Sequence, residues 1–400
     1  MKSHISFVGQ STLIVIMLCA CGRVGGVLPN ETEGMPQPTP RTSIGPGTAT
    51  TPIPPSLPTP SPLLPLAFPL SEPGPCFAGN RVYSIVDESR DGREIRLSIR
   101  YPALQQVDAQ GHVIPRDAPP DMSGAPYPLI LTGTNSGSLL FRSHLASYGF
   151  VMVTVSSPGF SYMAPWNSAV IDAPLDFLFA LDVLTSNPPE GLEGILDTDR
   201  VGVAGYSSDG FFSLALGGAR INPEYYFSQC AQTPNMDPPL SPFLTEYFCN
   251  LSERWDEFSS QVGAGISTVS DGLWQPTTDD RILAVMPMAP DSAWLYGPEG
   301  LAAIHIPSLI IAGTADDLVS YEMASCYIYE HLVNSDRVLI SFIGRGHMMV
   351  EDEEVIGRID HFAVAFFGYY LQGREDRARY FLEDFVAQRD DLAWGVYEGE

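Results

Sequence analysis

Six short, nearly unbroken apolar runs constrain the fold of this chain more than any other feature: Pro128–Thr132, Phe150–Ser156, Val201–Gly205, Ile282–Met288, Ile306–Gly313 and Val338–Ile343. A strand with one wet face alternates apolar and polar residues, whereas a strand covered on both faces needs no polar positions. Helix-like stretches at Leu139–Tyr148, Ala173–Thr185, Gly210–Ala219, Tyr321–Val333 and Glu354–Tyr370 separate the runs. Strand and helix in alternation predict an α/β fold, a mostly parallel sheet with helices on both faces. Ahead of the runs, Arg81–Val86 and Glu94–Arg100 flank Asp91-Gly92, a hairpin signal. The hairpin adds two antiparallel strands, so eight are expected.

One interval breaks the rhythm. Between about 222 and 280 there is no clean strand, but many Pro and aromatic residues and two cysteines. An irregular insertion of that length in a compact α/β domain reads as a lid or a pocket wall. The first residues combine Lys2, an apolar run from Thr12 to Leu18 and the sequence Leu18-Cys19-Ala20-Cys21. That pattern predicts a lipoprotein signal over residues 1–20, with Cys21 lipidated; the run is too short to span a bilayer. Residues 21–75 are dominated by Pro, Thr, Ser and Gly and read as an extended stalk. The expected arrangement is an extracytoplasmic domain over residues 76–400, lipid-anchored to a bacterial membrane or secreted.

Charge narrows the partners. The formal net charge is −26 across 400 residues, which repels nucleic acid and anionic headgroups. Lys2 is the sole lysine. Without others, the expected mature chain can form no Walker phosphate loop, Schiff base or Ser–Lys dyad. Of six cysteines, Cys76, Cys230, Cys249 and Cys326 lie beyond the signal, and four allow three pairings. Cys230–Cys249 is the expected disulfide, because both fall in the insertion and a bridge would restrain it. No Cys-x-x-Cys or His-Glu-x-x-His occurs, so neither a metal site nor a cofactor is predicted.

The candidate chemistry starts where the third buried run ends. Gly205-Tyr206-Ser207-Ser208-Asp209-Gly210 follows the apolar Val201–Ala204, a strand breaking into a Gly-flanked turn. A serine on such an elbow holds its hydroxyl clear of the strand, available to attack a carbonyl carbon. A carboxylate follows the next-but-one run in Gly313-Thr314-Ala315-Asp316, and a histidine follows the last in Gly346-His347. Ser207, Asp316 and His347 therefore come in the order nucleophile, acid, base. Ser208, Asp317 and the other histidines compete for these roles, but only His347 joins a glycine-rich loop to the end of a strand. Asp209 stands where the Gly-x-Ser-x-Gly pattern has glycine; it is expected to turn outward and cap the following helix.

Taken together, Ser89-Arg90-Asp91-Gly92-Arg93, Tyr101-Pro102-Ala103, Gly133-Thr134-Asn135-Ser136-Gly137, the Ser207 elbow and the Asp316 and His347 signatures resemble a known group. It comprises the predicted dienelactone hydrolases and the platelet-activating-factor acetylhydrolase-like enzymes of the α/β-hydrolase superfamily, with polyester-degrading cutinases as more distant relatives. The likeness runs from about Glu72 to Tyr370 and implies an α/β-hydrolase fold. Asp316-Asp317-Leu318-Val319 resembles the family's Asp-x-x-Val, which places the functional carboxylate first. Dienelactone hydrolases proper carry cysteine at the elbow; Ser207 implies serine ester hydrolysis instead. The resemblance also implies oxyanion donors at the backbone N–H groups of Ser208 and Ser136, although relatives carry His-Gly where this chain has Thr134-Asn135. Phe160, Tyr162, Met163, Trp166, Trp274 and Trp294 fall in loops where this architecture binds ligands. The expected substrate is a neutral, lipophilic or short-acyl ester, hydrolysed by a monomer; a lipase or polyester hydrolase is a variant of that reading. Asp209 and the altered loop motivate an alternative, a catalytically silent binding lipoprotein of the same fold.

Overall fold

The computed structural model describes residues 68–399 except 135, 137–140, 142, 159–167, 237–239, 263, 268–270 and 292. The signal segment, Cys21 and the stalk to residue 67 lie outside the described residues. Among the described residues the strands are β1 Phe77–Asp87, β2 Arg93–Ala103, β3 Tyr127–Gly133, β4 Val151–Ser156, β5 Leu196–Tyr206, β6 Ile282–Met288, β7 Ser308–Gly313, β8 Arg337–Phe342 and β9 Leu392–Trp394. They form one sheet in the order β1-β2-β4-β3-β5-β6-β7-β8-β9. The neighbours from β4 to β8 pair in parallel, while β1 with β2, β2 with β4, and β8 with β9 are antiparallel. The sheet is thus mostly parallel with nine strands where eight are expected. The ninth, three residues long, adds to the β8 edge and carries too little pattern to stand out in the sequence.

Central strands are apolar throughout because both faces are covered. Every residue of β3 and of β7 is buried. Alternate residues divide between two cores, as the period-two geometry of a strand requires. Leu309 and Ile311 of β7 join one cluster with Ile130, Met152 and Met286, whereas Ile310 and Ala312 face the opposite cluster. The helices sort in the same way. In chain order they are α1 Ala173–Ser186, α2 Ser208–Leu216, α3 Pro223–Gln232, α4 Pro242–Cys249, α5 Trp255–Val262 and α6 Glu353–Gln372, with shorter helical turns between. Phe362, Phe366 and Phe367 of α6 pack into the first cluster, and Phe211 and Leu214 of α2 into the second. The Asp352 side chain caps α6 at its start, and Gly373, in the left-handed region, ends it.

The 222–280 interval corrects the expectation of an irregular insertion. Its described residues hold no strand, as anticipated, but α3, α4 and α5 make it helical. The start signals are present in the sequence: Asn222-Pro223 and Ser241-Pro242 each pair an N-cap with proline in the first turn, and both side chains accept the expected backbone N–H. Cys230 and Cys249 form a disulfide that ties α3 to the end of α4. Tyr226 stacks on Trp255, Trp255 meets Phe258 edge-on, and Phe258 stacks on Trp274, so the insertion carries its own aromatic core. Among the described residues no helix is long and apolar enough to cross a membrane.

The folded part also begins earlier than the 75/76 boundary. Phe68 lies edge-on to His361, and the Leu70 N–H donates to His361 Nδ1 at 3.0 Å. Burial, then the charge of Arg389 and the nearby His144, push the buried His361 down to about 3. The folded value lies below the unfolded one near 6.5, so the neutral form favours folding. The resulting stability is full above pH 6.5 and is lost progressively as pH falls from there toward 3. Each unit corresponds to about 1.4 kcal/mol. Denaturant titrations from pH 7 to 4.5 should show the wild type losing about 2 kcal/mol more than His361→Asn, which keeps an acceptor but does not titrate; parallel curves would remove His361 as the source.

Candidate active site

The site lies where β5, β7 and β8 end. β5 runs apolar to Tyr206 and then turns sharply: Ser207 has φ 59° and ψ −122°, a backbone region disfavoured for any residue with a side chain. Such strain costs about 1–3 kcal/mol and persists only where the surroundings fix it. Here the Ser207 N–H donates to the Met288 carbonyl of β6, and the Ser207 carbonyl accepts from Gly210 and Phe211 as α2 begins. Gly205 is required at this turn. A Cβ there would stand 1.8 Å from the Asp209 carbonyl oxygen, so any side chain would force the helix off the strand.

Ser207 Oγ is 3.1 Å from His347 Nε2, and His347 Nδ1 is 2.8 Å from Asp316 Oδ2. All three residues are buried, with 8 %, 6 % and 8 % exposure for Ser207, His347 and Asp316. Residues 140 and 31 positions apart along the chain thus form one hydrogen-bonded row. The carboxylate beside Nδ1 requires the proton on that nitrogen, which leaves Nε2 as acceptor for the Ser207 hydroxyl. Asp316 is oriented in turn, because its Oδ1 accepts from the Leu318 and Val319 N–H groups at 3.1 and 3.0 Å. His347 is braced from the elbow itself: the Tyr206 hydroxyl donates to its carbonyl, and the two rings stack at 5.2 Å.

The competing residues point elsewhere. Asp317 is exposed. Ser208 Oγ faces Asp291, 3.4 Å away. His112 pairs with Asp108, His331 with the Tyr327 carbonyl, His144 and His361 hold Leu70, and His305 is exposed. The Ser208 N–H, expected to meet an oxyanion, sits at the first position of α2, where an amide has no acceptor within its helix.

Asp209 corrects its expectation. It does not turn outward: it is 2 % exposed, and its Oδ2 accepts both the Ser136 N–H at 2.8 Å and the Ser136 hydroxyl at 3.0 Å. Ser136 Oγ in turn accepts the Tyr206 N–H at 2.8 Å. Room exists because β3 ends in Gly133, where a Cβ would come within 2.1 Å of Asp209 Oδ1. A carboxylate at the start of a helix, with two charge-assisted hydrogen bonds, tolerates burial. The Ser136 amide, expected as the second oxyanion donor, is therefore engaged by Asp209. Sequence spacing held no signal for this contact, which joins residues 73 apart.

The expected pocket aromatics divide. Phe160, Tyr162, Met163 and Trp166 lie outside the described residues. Trp294 is buried with its ring stacked on Phe248 of α4, and Trp274 is buried against Phe258. Packing, not an open wall, takes up both indoles. A cleft of about 470 Å³ runs along the His347 loop, lined by Gly344, Arg345, Met348, Met349 and Asp352, with neither Ser207 nor His347 in its wall. Among the described residues no group of three or more His, Cys, Asp or Glu is placed to hold a metal ion.

No family model matches this chain, and no curated protein matches it. Chemically, the row can move a proton from the serine hydroxyl to the imidazole while the carboxylate stabilises the resulting cation.

Proposed function

We propose that this chain is a serine carboxylic-ester hydrolase of the α/β-hydrolase superfamily, acting on a neutral, lipophilic or short-acyl ester. The observation that carries the reading is the Ser207–His347–Asp316 row on a strained elbow. Its members follow β5, β8 and β7, which keeps the chain order Ser, Asp, His of that superfamily. Ser207 Oγ attacks the ester carbonyl as His347 Nε2 takes its proton. The negative oxygen that forms is met by the Ser208 N–H. His347 then returns the proton to the leaving alcohol, and an acyl-serine remains. Water repeats the sequence, giving its proton to His347 and releasing the acid. The Cys230–Cys249 disulfide supports an oxidising, extracytoplasmic setting, which agrees with a lipid-anchored or secreted lipoprotein.

A second reading has one observation in its favour. Asp209 holds the Ser136 amide, and a buried carboxylate near the elbow opposes an anionic intermediate, as in a silent binding protein. Fluorophosphonate labelling decides between them. An esterase takes up about one label per chain at Ser207 and shows a p-nitrophenol burst from p-nitrophenyl butyrate. Absence of both would select the binding protein.

A further inference from the structure

We propose that Asp209 is a positioning residue of the Ser207 centre: its buried carboxylate brackets Ser136, just past the end of β3, to the elbow and so sets the place of Ser207 against His347. The inference rests on the ester-hydrolase reading and deepens it. Three observations meet at this carboxylate. It accepts two hydrogen bonds from Ser136, one from the backbone and one from the hydroxyl. The same hydroxyl accepts the N–H of Tyr206, the residue directly before Ser207. Tyr206 itself holds the His347 carbonyl and stacks on the imidazole. A continuous chain of contacts thus runs Asp209–Ser136–Tyr206–His347, and it closes on the row it supports.

The glycine of the Gly-x-Ser-x-Gly pattern could make none of these bonds. Here the side chain instead fills the space beside Gly133, and the fit leaves no room for a Cβ on that strand end. Because the carboxylate engages the Ser136 amide, Ser136 is held by the protein itself rather than waiting for substrate. The burden of oxyanion binding then falls on the Ser208 N–H. A displacement of about 1 Å at such a centre costs on the order of 10²-fold in rate.

The test uses the full chain and three variants. Asp209→Ala should lower kcat for p-nitrophenyl butyrate about 10²-fold with KM changed less than about threefold, since reach between Ser207 and His347 is lost rather than ester binding. Asp209→Asn, whose amide oxygen still accepts the Ser136 N–H, should recover most of that loss. Ser136→Ala, which removes only the hydroxyl link, should fall between. Hydrogen–deuterium exchange at the Ser136 amide supplies a readout free of activity: exchange should rise in Asp209→Ala and return toward wild type in Asp209→Asn. A folded Asp209→Ala enzyme with wild-type kcat overturns the proposal, as does Asp209→Asn no better than Asp209→Ala in both readouts. If Asp209→Ala does not fold, Ser136→Ala decides against wild type: a kcat lowered about tenfold with raised exchange supports the bracket, and wild-type values in both overturn it. A wild type that hydrolyses no ester defeats the hydrolase reading, while the exchange measurements still judge the bracket.

Discussion

Ser207→Ala is expected to reduce ester hydrolysis on the order of 10⁵- to 10⁶-fold and to abolish fluorophosphonate labelling, with little effect on stability. The magnitude follows from the role: the hydroxyl forms the bond to the acyl group, and loss of the attacking atom of a serine–histidine pair removes nearly all covalent catalysis. Stability should hardly change because, among the described residues, the side-chain bond of Ser207 goes to His347, while the backbone bonds to Met288, Gly210 and Phe211 persist. The disfavoured backbone at φ 59° is the same for alanine as for serine, so no strain is added. Initial rates on p-nitrophenyl butyrate with matched melting curves check both halves. Activity above about a tenth of wild type in a folded Ser207→Ala protein would remove Ser207 as nucleophile, since Ser208, turned toward Asp291, cannot substitute without remaking the elbow.

The second large effect is expected of Asp316→Asn, a fall in kcat on the order of 10⁴-fold. The substitution preserves shape and the oxygen that accepts from Leu318 and Val319. With that oxygen fixed, the amide nitrogen takes the position facing His347 Nδ1 and donates where the carboxylate accepted. The imidazole must then carry its proton on Nε2, toward Ser207, in the tautomer that cannot receive the serine proton. A pH series separates this from mere loosening, because the missing base function should persist across the neutral range rather than shift along it. An Asp316→Asn protein with kcat within about tenfold of wild type would show that the carboxylate is not the orienting group.

Much of this arrangement is readable in advance, and the reason differs from part to part. The strands β3 to β8 announce themselves because burial on both faces leaves continuous apolar runs such as Leu309–Ala312. Ser207, Asp316 and His347 are legible because each follows the end of such a run, and a strand end fixes where the next few residues must lie. The helices of the insertion are half legible. Asn222-Pro223 and Ser241-Pro242 mark their starts, but the aromatic residues between them show no clear apolar face. The β9 edge strand and the docking of Phe68 and Leu70 escape detection, since three residues and an isolated pair make no period.

Asp209 marks the boundary between the two kinds of information. Local pattern settles that a strand turns into a helix at residues 205–210, because sterics at Gly205 and the run of apolar residues act over a few positions. Which way a polar side chain on that helix points depends on what stands across from it. Gly133 supplies the space, and Ser136 supplies two donors, from a strand neighbour 73 residues away. Periodicity carries covalent neighbourhood and burial, but the solvation of one charge depends on three-dimensional neighbours. Composition and spacing therefore reach the sheet and the three members of the row, whereas folding assigns Ser136 to Asp209 and leaves the Ser208 amide, at the start of α2, as the proposed oxyanion donor.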